Sequence, residues 1–200
     1  MKDTLYIIGA SGHGKVVADI AKLNGYKNIL FLDDDTSKKT CGRYEVVGSS
    51  NDVCNGDVIV SIGNARFRRK ISERYKDMLV TLIHPDAVIA DDVKIGNGTV
   101  VMAGAVINPG TVIGDGCIIN TGATVDHDNA IENYCHISVG SHLAGTVHIG
   151  EETWVGAGAV ISNNVNICGF CMVGAGAVVI KDIDVQGTYV GVPAKMIKEI

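Results

Sequence analysis

From Ile83 onward every sixth residue is aliphatic: Ile83, Ile89, Ile95, Val101, Ile107, Ile113, Ile119, Val125, Ile131, Ile137, Leu143, Ile149, Val155, Ile161, Ile167, Val173, Val179 and Val185. Neither a helix of 3.6 residues per turn nor a strand alternating every two residues produces a strict period of six. The residue two before the aliphatic is mostly small (Ala87, Thr99, Ala105, Thr111, Cys117, Ala123, Cys135, Ser141, Ala159, Cys171). The residue after it is often glycine, as at Gly96, Gly114, Gly150, Gly156 and Gly174. This hexad pattern predicts a parallel β-helix in which three hexads make one triangular coil, about six coils in all. Coils then stack at about 4.8 Å. The aliphatic fills the inside, the small residue fits the corner, and glycine supplies the bend. Because the register does not slip, no long loop is expected within the helix.

Composition agrees with so narrow a core. Hydrophobic residues make up 46% of the 200-residue chain but aromatics only 5%, so the core must be aliphatic. That apolar fraction excludes disorder, and 25 glycines are too few for collagen. A net charge of −5 without a basic run argues against nucleic-acid binding. No apolar run approaches the ~18 residues that span a bilayer, so no membrane segment is expected. The opening apolar run passes into a Gly-rich turn, which reads as a first strand rather than a secretion signal. The six cysteines lack disulfide-scaffold spacing, which points to the cytoplasm. Cys117, Cys135 and Cys171 fall on the small corner phase and Cys168 on the glycine phase. A lone C-x-x-C at 168–171 is therefore read as accidental rather than metal-binding.

Residues 1–80 follow a different pattern from residues 81–200 and are read as a separate small domain. Leu5–Ile8, Ile29–Leu32, Val58–Ile62 and a short run at Met78–Leu82 read as strands. Helices are expected from about Gly14 to Asn24 and, after the strand end at Gly63-Asn64, through about Tyr75. Alternating strand and helix predicts a small parallel α/β sheet, a Rossmann-like half. Ligands bind such sheets at the C-terminal strand ends. Here those ends carry the loop Gly9-Ala10-Ser11-Gly12-His13-Gly14-Lys15, the pair Asp33-Asp34, and Gly63-Asn64. Glycines admit a phosphate close to the backbone and the helix N-terminus adds partial positive charge. The spacing is G-x-x-G-x-G rather than G-x-G-x-x-G, and there is no second half-fold. A nucleotide diphosphate fits better than a dinucleotide.

Four of the six histidines lie between 127 and 148. None occupies the inward phase, so all four are expected to face outward, His142 and His148 as plain surface residues. His127 is flanked by Asp126 and Asp128, and a carboxylate beside an imidazole fixes its tautomer and raises its basicity. A zinc site built from these histidines is the rival reading, although spacings of nine, six and six do not favour it.

The segments YIIGASGHGKVV, FLDDD, SIGNARFRRKI, LIHPDAVI, NTGATVDHDNAIENYCHISVGSHLAGTVHIG and YVGVPAKMI together resemble a known family. They are similar to nucleotide-sugar acetyltransferases of the sialic-acid O-acetyltransferase/bacillosamine N-acetyltransferase type, within the hexapeptide-repeat acyltransferases. The resemblance implies a left-handed β-helix, a homotrimer with active sites between subunits, and acetyl-CoA as co-substrate without a metal. It implies His127 as general base and Asp128 as the acid that strengthens it. It also implies His136, Ala157, Ala175 and Lys195 in contact with acetyl-CoA. Ser11, Gly12, His13, Asp33, Asp34 and Gly63 would contact the nucleotide sugar. The expected reaction is direct N-acetylation of a UDP-4-amino-sugar type of substrate. O-acetylation of sialic acid or a related sugar is the alternative, and a non-catalytic structural β-helix would leave the Gly-rich loop unexplained.

Overall fold

The computed structural model describes residues 3–199. The first part is a five-stranded sheet of β1 (Thr4–Ile8), β2 (Asn28–Leu32), β3 (Thr40–Cys41), β4 (Tyr44–Gly48) and β5 (Asp57–Val60), in the order β3-β4-β2-β1-β5. Only the β3–β4 pair is antiparallel. Helix α1 (Gly12–Leu23) follows β1, and α2 (Ala65–Arg74) follows β5. Two features differ from the sequence expectation. The β3–β4 hairpin extends the sheet where no strand was expected, because short strands with a half-exposed pattern carry little periodic signal. Residues 78–82 form no full strand: Leu79 makes a single bridge to Val58, and Leu82–Ile83 already pairs within the second part.

That second part is a left-handed parallel β-helix. Two-residue strands recur every six residues and pair eighteen residues apart, as Val106 with Thr124 and Thr124 with His142. Three faces result. The first runs through Leu82–Ile83, Val100–Val101, Ile118–Ile119, His136–Ile137, Trp154–Val155 and Met172–Val173. The second runs from Val88–Ile89 to Val178–Val179 and includes Thr124–Val125 and His142–Leu143; the third runs from Lys94–Ile95 to Asn166–Ile167. Every inward aliphatic from Val101 to Val179 is buried. Each contributes about 1.5–3 kcal/mol, which replaces what aromatics supply in wider cores.

The register does slip once, at the C-terminal end. Ile183, not Val185, bridges Ile167, and Met172 pairs with Thr188, sixteen residues away rather than eighteen. Val185 is consequently exposed while Ile183 is buried. Ile83, in the open first coil, is also partly exposed. An antiparallel pair, Gly187–Val190 with Lys195–Glu199, then closes this end.

The glycines divide differently from the expectation too. The left-handed backbone recurs three residues before the inward aliphatic, at Gly98, Gly110 and Gly116 and also at Asp128, Tyr134, Glu152 and Phe170. Glycines that follow the aliphatic have ordinary φ. They are required instead by crowding from the next coil: a Cβ on Gly156 would lie 2.6 Å from the Val173 carbonyl oxygen.

The α/β part packs on the first face of the β-helix. Leu82, Val100, Met102 and Ile118 join Val17, Ile20 and Phe31 in one apolar cluster. Arg68 of α2 fastens the two parts together. Its side chain is buried, and its guanidinium donates to the carbonyls of Ile62 (2.8 Å) and Gly63 (2.7 Å) on one side. On the other it donates to Gly116 (2.7 Å) and Tyr134.

Candidate active site

Three groups of residues carry the candidate chemistry. At the C-terminal ends of β1, β2 and β5, a pocket is lined by Gly9, Ser11, Asp33, Asp34, Ser50 and Gly63, among others. Ser11 is the N-cap of α1, whose first turn holds no acidic side chain, so no carboxylate of that turn competes with an anion for its free amides. Both acids already have partners. Asp33 accepts from the amides of Ala10 (2.7 Å) and Asp35 (2.9 Å) and from Lys38 Nζ (2.9 Å). Asp34 accepts from the amide and hydroxyl of Ser50. They therefore shape the pocket wall as well as facing it. Phe67, 62% exposed, also lines this pocket and went unread in the sequence.

A second group lies where α2 meets the first face. His136 was expected to face outward. It points outward from the coil but is buried, stacked on Trp154 (centroids 4.8 Å) and covered by the α/β part. His13 does not line the Gly-rich pocket; its ring lies 6.4 Å from that of His136. Burial, then the nearby Arg68 charge, lowers the His13 pKa to about 4. The same causes, with His13 itself, lower His136 to about 3.

These depressed values have a consequence for stability. Unfolded histidine titrates near 6.5, so below that pH the unfolded chain binds protons that the folded chain refuses, and stability falls with pH. By pH 5 each histidine should cost about 2 kcal/mol. Denaturant unfolding at pH 7 and pH 5 should show this loss, and the variant His13→Gln/His136→Gln should remove most of it.

The third group is His127 with Asp128, at the corner between the second and third faces. Adjacent side chains of an extended strand point to opposite sides. Here Asp128 has φ +58°, and the left-handed turn brings its Oδ2 within 2.8 Å of His127 Nδ1. Asp128 thus accepts Nδ1–H and leaves the Nε2 lone pair free. This hydrogen bond, reinforced by the charges of Asp126 and Asp128, raises the His127 pKa. The corner itself is braced. Asp126 Oδ1 accepts the His127 amide (2.9 Å) and Asn108 Nδ2 (2.8 Å), while buried Asn129 donates to the Asp126 and Ala144 carbonyls.

Gly145, one coil above, is also missing from the sequence reading. A Cβ there would lie 2.5 Å from His127 Nε2 and 2.6 Å from Cε1. Only glycine leaves the ring its place. Gly145→Ala should displace the imidazole and lower kcat at least tenfold with little change in Tm. A crystal structure of the variant should show the ring rotated away; an unmoved ring with full activity would contradict this.

Within the single chain the groups do not meet. His127 lies at the corner between the second and third faces, whereas the α/β part covers the first. Ala157 and Ala175 follow first-face strands, at the corner leading to the second face, and Lys195 begins the last strand. His142 is exposed beside Thr124, and His148 pairs with Glu132 at 3.0 Å. Among the described residues no group of three or more His, Cys, Asp or Glu is arranged to hold a metal ion. Cys168 and Cys171 are free thiols with sulfurs 3.5 Å apart.

Comparison with known proteins agrees with this architecture. Residues 4–75 match the PglD N-terminal domain, and residues 80–109 and 92–127 match the bacterial transferase hexapeptide (six repeats). The acetyltransferase domain of PglB from Neisseria gonorrhoeae FA1090, solved in complex with acetyl coenzyme A, is 42% identical. That match covers 98% of this chain and all (100%) of that one, with a TM-score of 0.94. PerB from Caulobacter crescentus, solved with CoA and GDP-perosamine, is 38% identical over 96% of both chains, with a TM-score of 0.90. UDP-N-acetylbacillosamine N-acetyltransferase of Bacillus subtilis (strain 168) is 38% identical over 108 residues, 48% of this chain. The match spans half (50%) of that curated relative's length. The fold and the site thus define a hexapeptide-repeat transferase. The chain belongs to the PglD-like hexapeptide-repeat acetyltransferases that act on nucleotide sugars.

Proposed function

We propose that this protein transfers the acetyl group of acetyl-CoA to the amine of a nucleotide-linked amino sugar, of the UDP-4-amino-sugar type. The observation that carries the proposal is the His127–Asp128 pair, with Nδ1 held by a carboxylate and Nε2 open. His127 Nε2 removes a proton as the sugar nitrogen attacks the thioester carbonyl. The tetrahedral oxyanion is stabilised by a backbone amide of the β-helix, and collapse expels the CoA thiolate, which takes up the proton. Ser11, Gly12, His13, Asp33, Asp34 and Gly63 are assigned to the nucleotide sugar. His136, Ala157, Ala175 and Lys195 are assigned to acetyl-CoA. Relatives solved with acetyl coenzyme A, and with CoA and GDP-perosamine, support both ligand classes.

The active unit is a homotrimer with sites between subunits. The separation of His127 from the α/β part within one protomer supports this, because a neighbouring copy is needed to bring the groups together. Among the described residues no helix is long and apolar enough to cross a membrane. Free cysteines and a CoA substrate suit the cytoplasm.

Mixing two inactive variants tests the shared site. His127→Ala subunits combined and reassembled with Gly12→Trp subunits should regain activity in the hybrids. Failure to regain it, with hybrids demonstrated by mass, would contradict a site shared between subunits. Resistance of the product's acetyl group to mild alkali should identify an amide; lability would identify an ester and contradict N-acetylation.

A further inference from the structure

His136 is more constrained than a simple buried ring. Asn120, one coil below, places its Nδ2 3.1 Å from His136 Nε2. The orientation of this amide is fixed from its other end: Asn120 Oδ1 accepts the Thr121 backbone N–H at 2.8 Å, which only an oxygen can do. Nδ2 must therefore face the imidazole, and as an obligate donor it requires Nε2 to be the acceptor. A neutral imidazole that accepts at Nε2 carries its proton on Nδ1. A protonated ring would set two donors against each other across 3.1 Å, so Asn120 opposes imidazolium independently of burial. Trp154 stacks on the ring from the coil above, and its own position is fixed by Nε1–H donating to Ser138 Oγ at 2.6 Å. His136 Nδ1 is left buried and without a hydrogen-bond partner. His136 and Trp154 line a cleft beside the start of α2, with Gly63, Asn64 and Arg66 opposite. A buried N–H without an acceptor costs free energy, and such groups are few in folded proteins, so each calls for a reason.

We propose that Asn120 is a positioning residue that holds His136 as the Nδ1–H tautomer, presenting this N–H to an acceptor oxygen of a substrate bound in the cleft. A fixed neutral donor selects a carbonyl, hydroxyl or phosphate oxygen at this point and rejects an ammonium or another N–H. The oxygen belongs either to the acyl-CoA or to the nucleotide sugar. The proposal depends on the N-acetyltransferase reading only for the identity of these two substrates.

The test is a long-range 1H–15N spectrum of full-length protein labelled with 15N-histidine, with His136 assigned from a His136→Gln variant. At pH 7 the wild type should show a protonated Nδ1 and an unprotonated Nε2. Asn120→Ala should convert this single form to a tautomer mixture. Titration with acetyl-CoA, and separately with UDP-, GDP- and dTDP-linked 4-amino sugars, should move the Nδ1–H resonance in one arm, which names the source of the oxygen. The same variant should raise KM for that substrate about tenfold, the loss of one hydrogen bond, with kcat little changed. Nε2–H or imidazolium in the wild type would overturn the proposal, as would an Nδ1–H that responds to none of the ligands. If the tautomer and shifts are as stated but no amino sugar is acetylated, the reading of function fails and this assignment stands.

Discussion

His127→Ala should lower kcat/KM by a factor of about 10²–10⁴, the usual contribution of a positioned general base. The side chain is 54% exposed in the single chain, so truncation leaves no buried cavity and Tm should hardly move. The pH profile gives an independent check. As the proposed general base, His127 would act in its neutral form, so kcat/KM should rise with pH and level off above its pKa. The Asp128 hydrogen bond places that acid limb above the ordinary histidine value. Asp128→Asn keeps a residue that tolerates the left-handed turn but removes the charge. The limb should then move to lower pH and the plateau should drop, because the base is weaker. An unchanged profile in Asp128→Asn would show that the pair does not tune the base.

Arg68→Met should produce the largest loss of stability. This guanidinium is 1% exposed, has its pKa lowered to about 10 by burial, and donates to carbonyls of both parts of the chain. Methionine fills much of the volume but leaves the Ile62, Gly63, Gly116 and Tyr134 carbonyls without this donor. A buried polar group left unsatisfied costs about 1–3 kcal/mol, so losing this donor to several carbonyls should cost about 3–5 kcal/mol, roughly 10 °C in Tm for a chain of this size. Gly63 lies in both the Gly-rich pocket proposed for the nucleotide and the His136 cleft, so KM for the nucleotide sugar should rise as well. Arg68→Lys should not restore either property, because one ammonium cannot reproduce the planar fork. A Tm within 2 °C of wild type, using roughly 2–4 °C per kcal/mol, would contradict the assigned role.

Much of the fold was legible because one periodic constraint governs residues 83–179. A β-helix demands an inward aliphatic every six residues, and a single strand of sequence displays that demand openly. The slip at Val185 was not legible: Ile183 and Val185 are both aliphatic, and the pattern alone does not choose between them. The glycine assignment failed for a related reason, since a glycine required by crowding and one required by φ look alike in sequence. His127 with Asp128 was visible as an adjacent pair, although their contact depends on the left-handed turn at 128. Arg68, Asn120, Trp154 and Gly145 were not visible as site residues. Each acts on a group sixteen or more residues away in sequence, across stacked coils or between the two parts, where no periodicity reports the contact.

The proposed reaction is acetyl transfer from acetyl-CoA to an amine on a nucleotide-linked sugar. Its most direct test is the rate of free-thiol release from acetyl-CoA with UDP-, GDP- and dTDP-4-amino sugars, each beside its 4-hydroxy counterpart. Rapid release is predicted with at least one amino sugar and not with its hydroxy counterpart. Release with sialic acid or the hydroxy sugars, and none with the amino sugars, would contradict it.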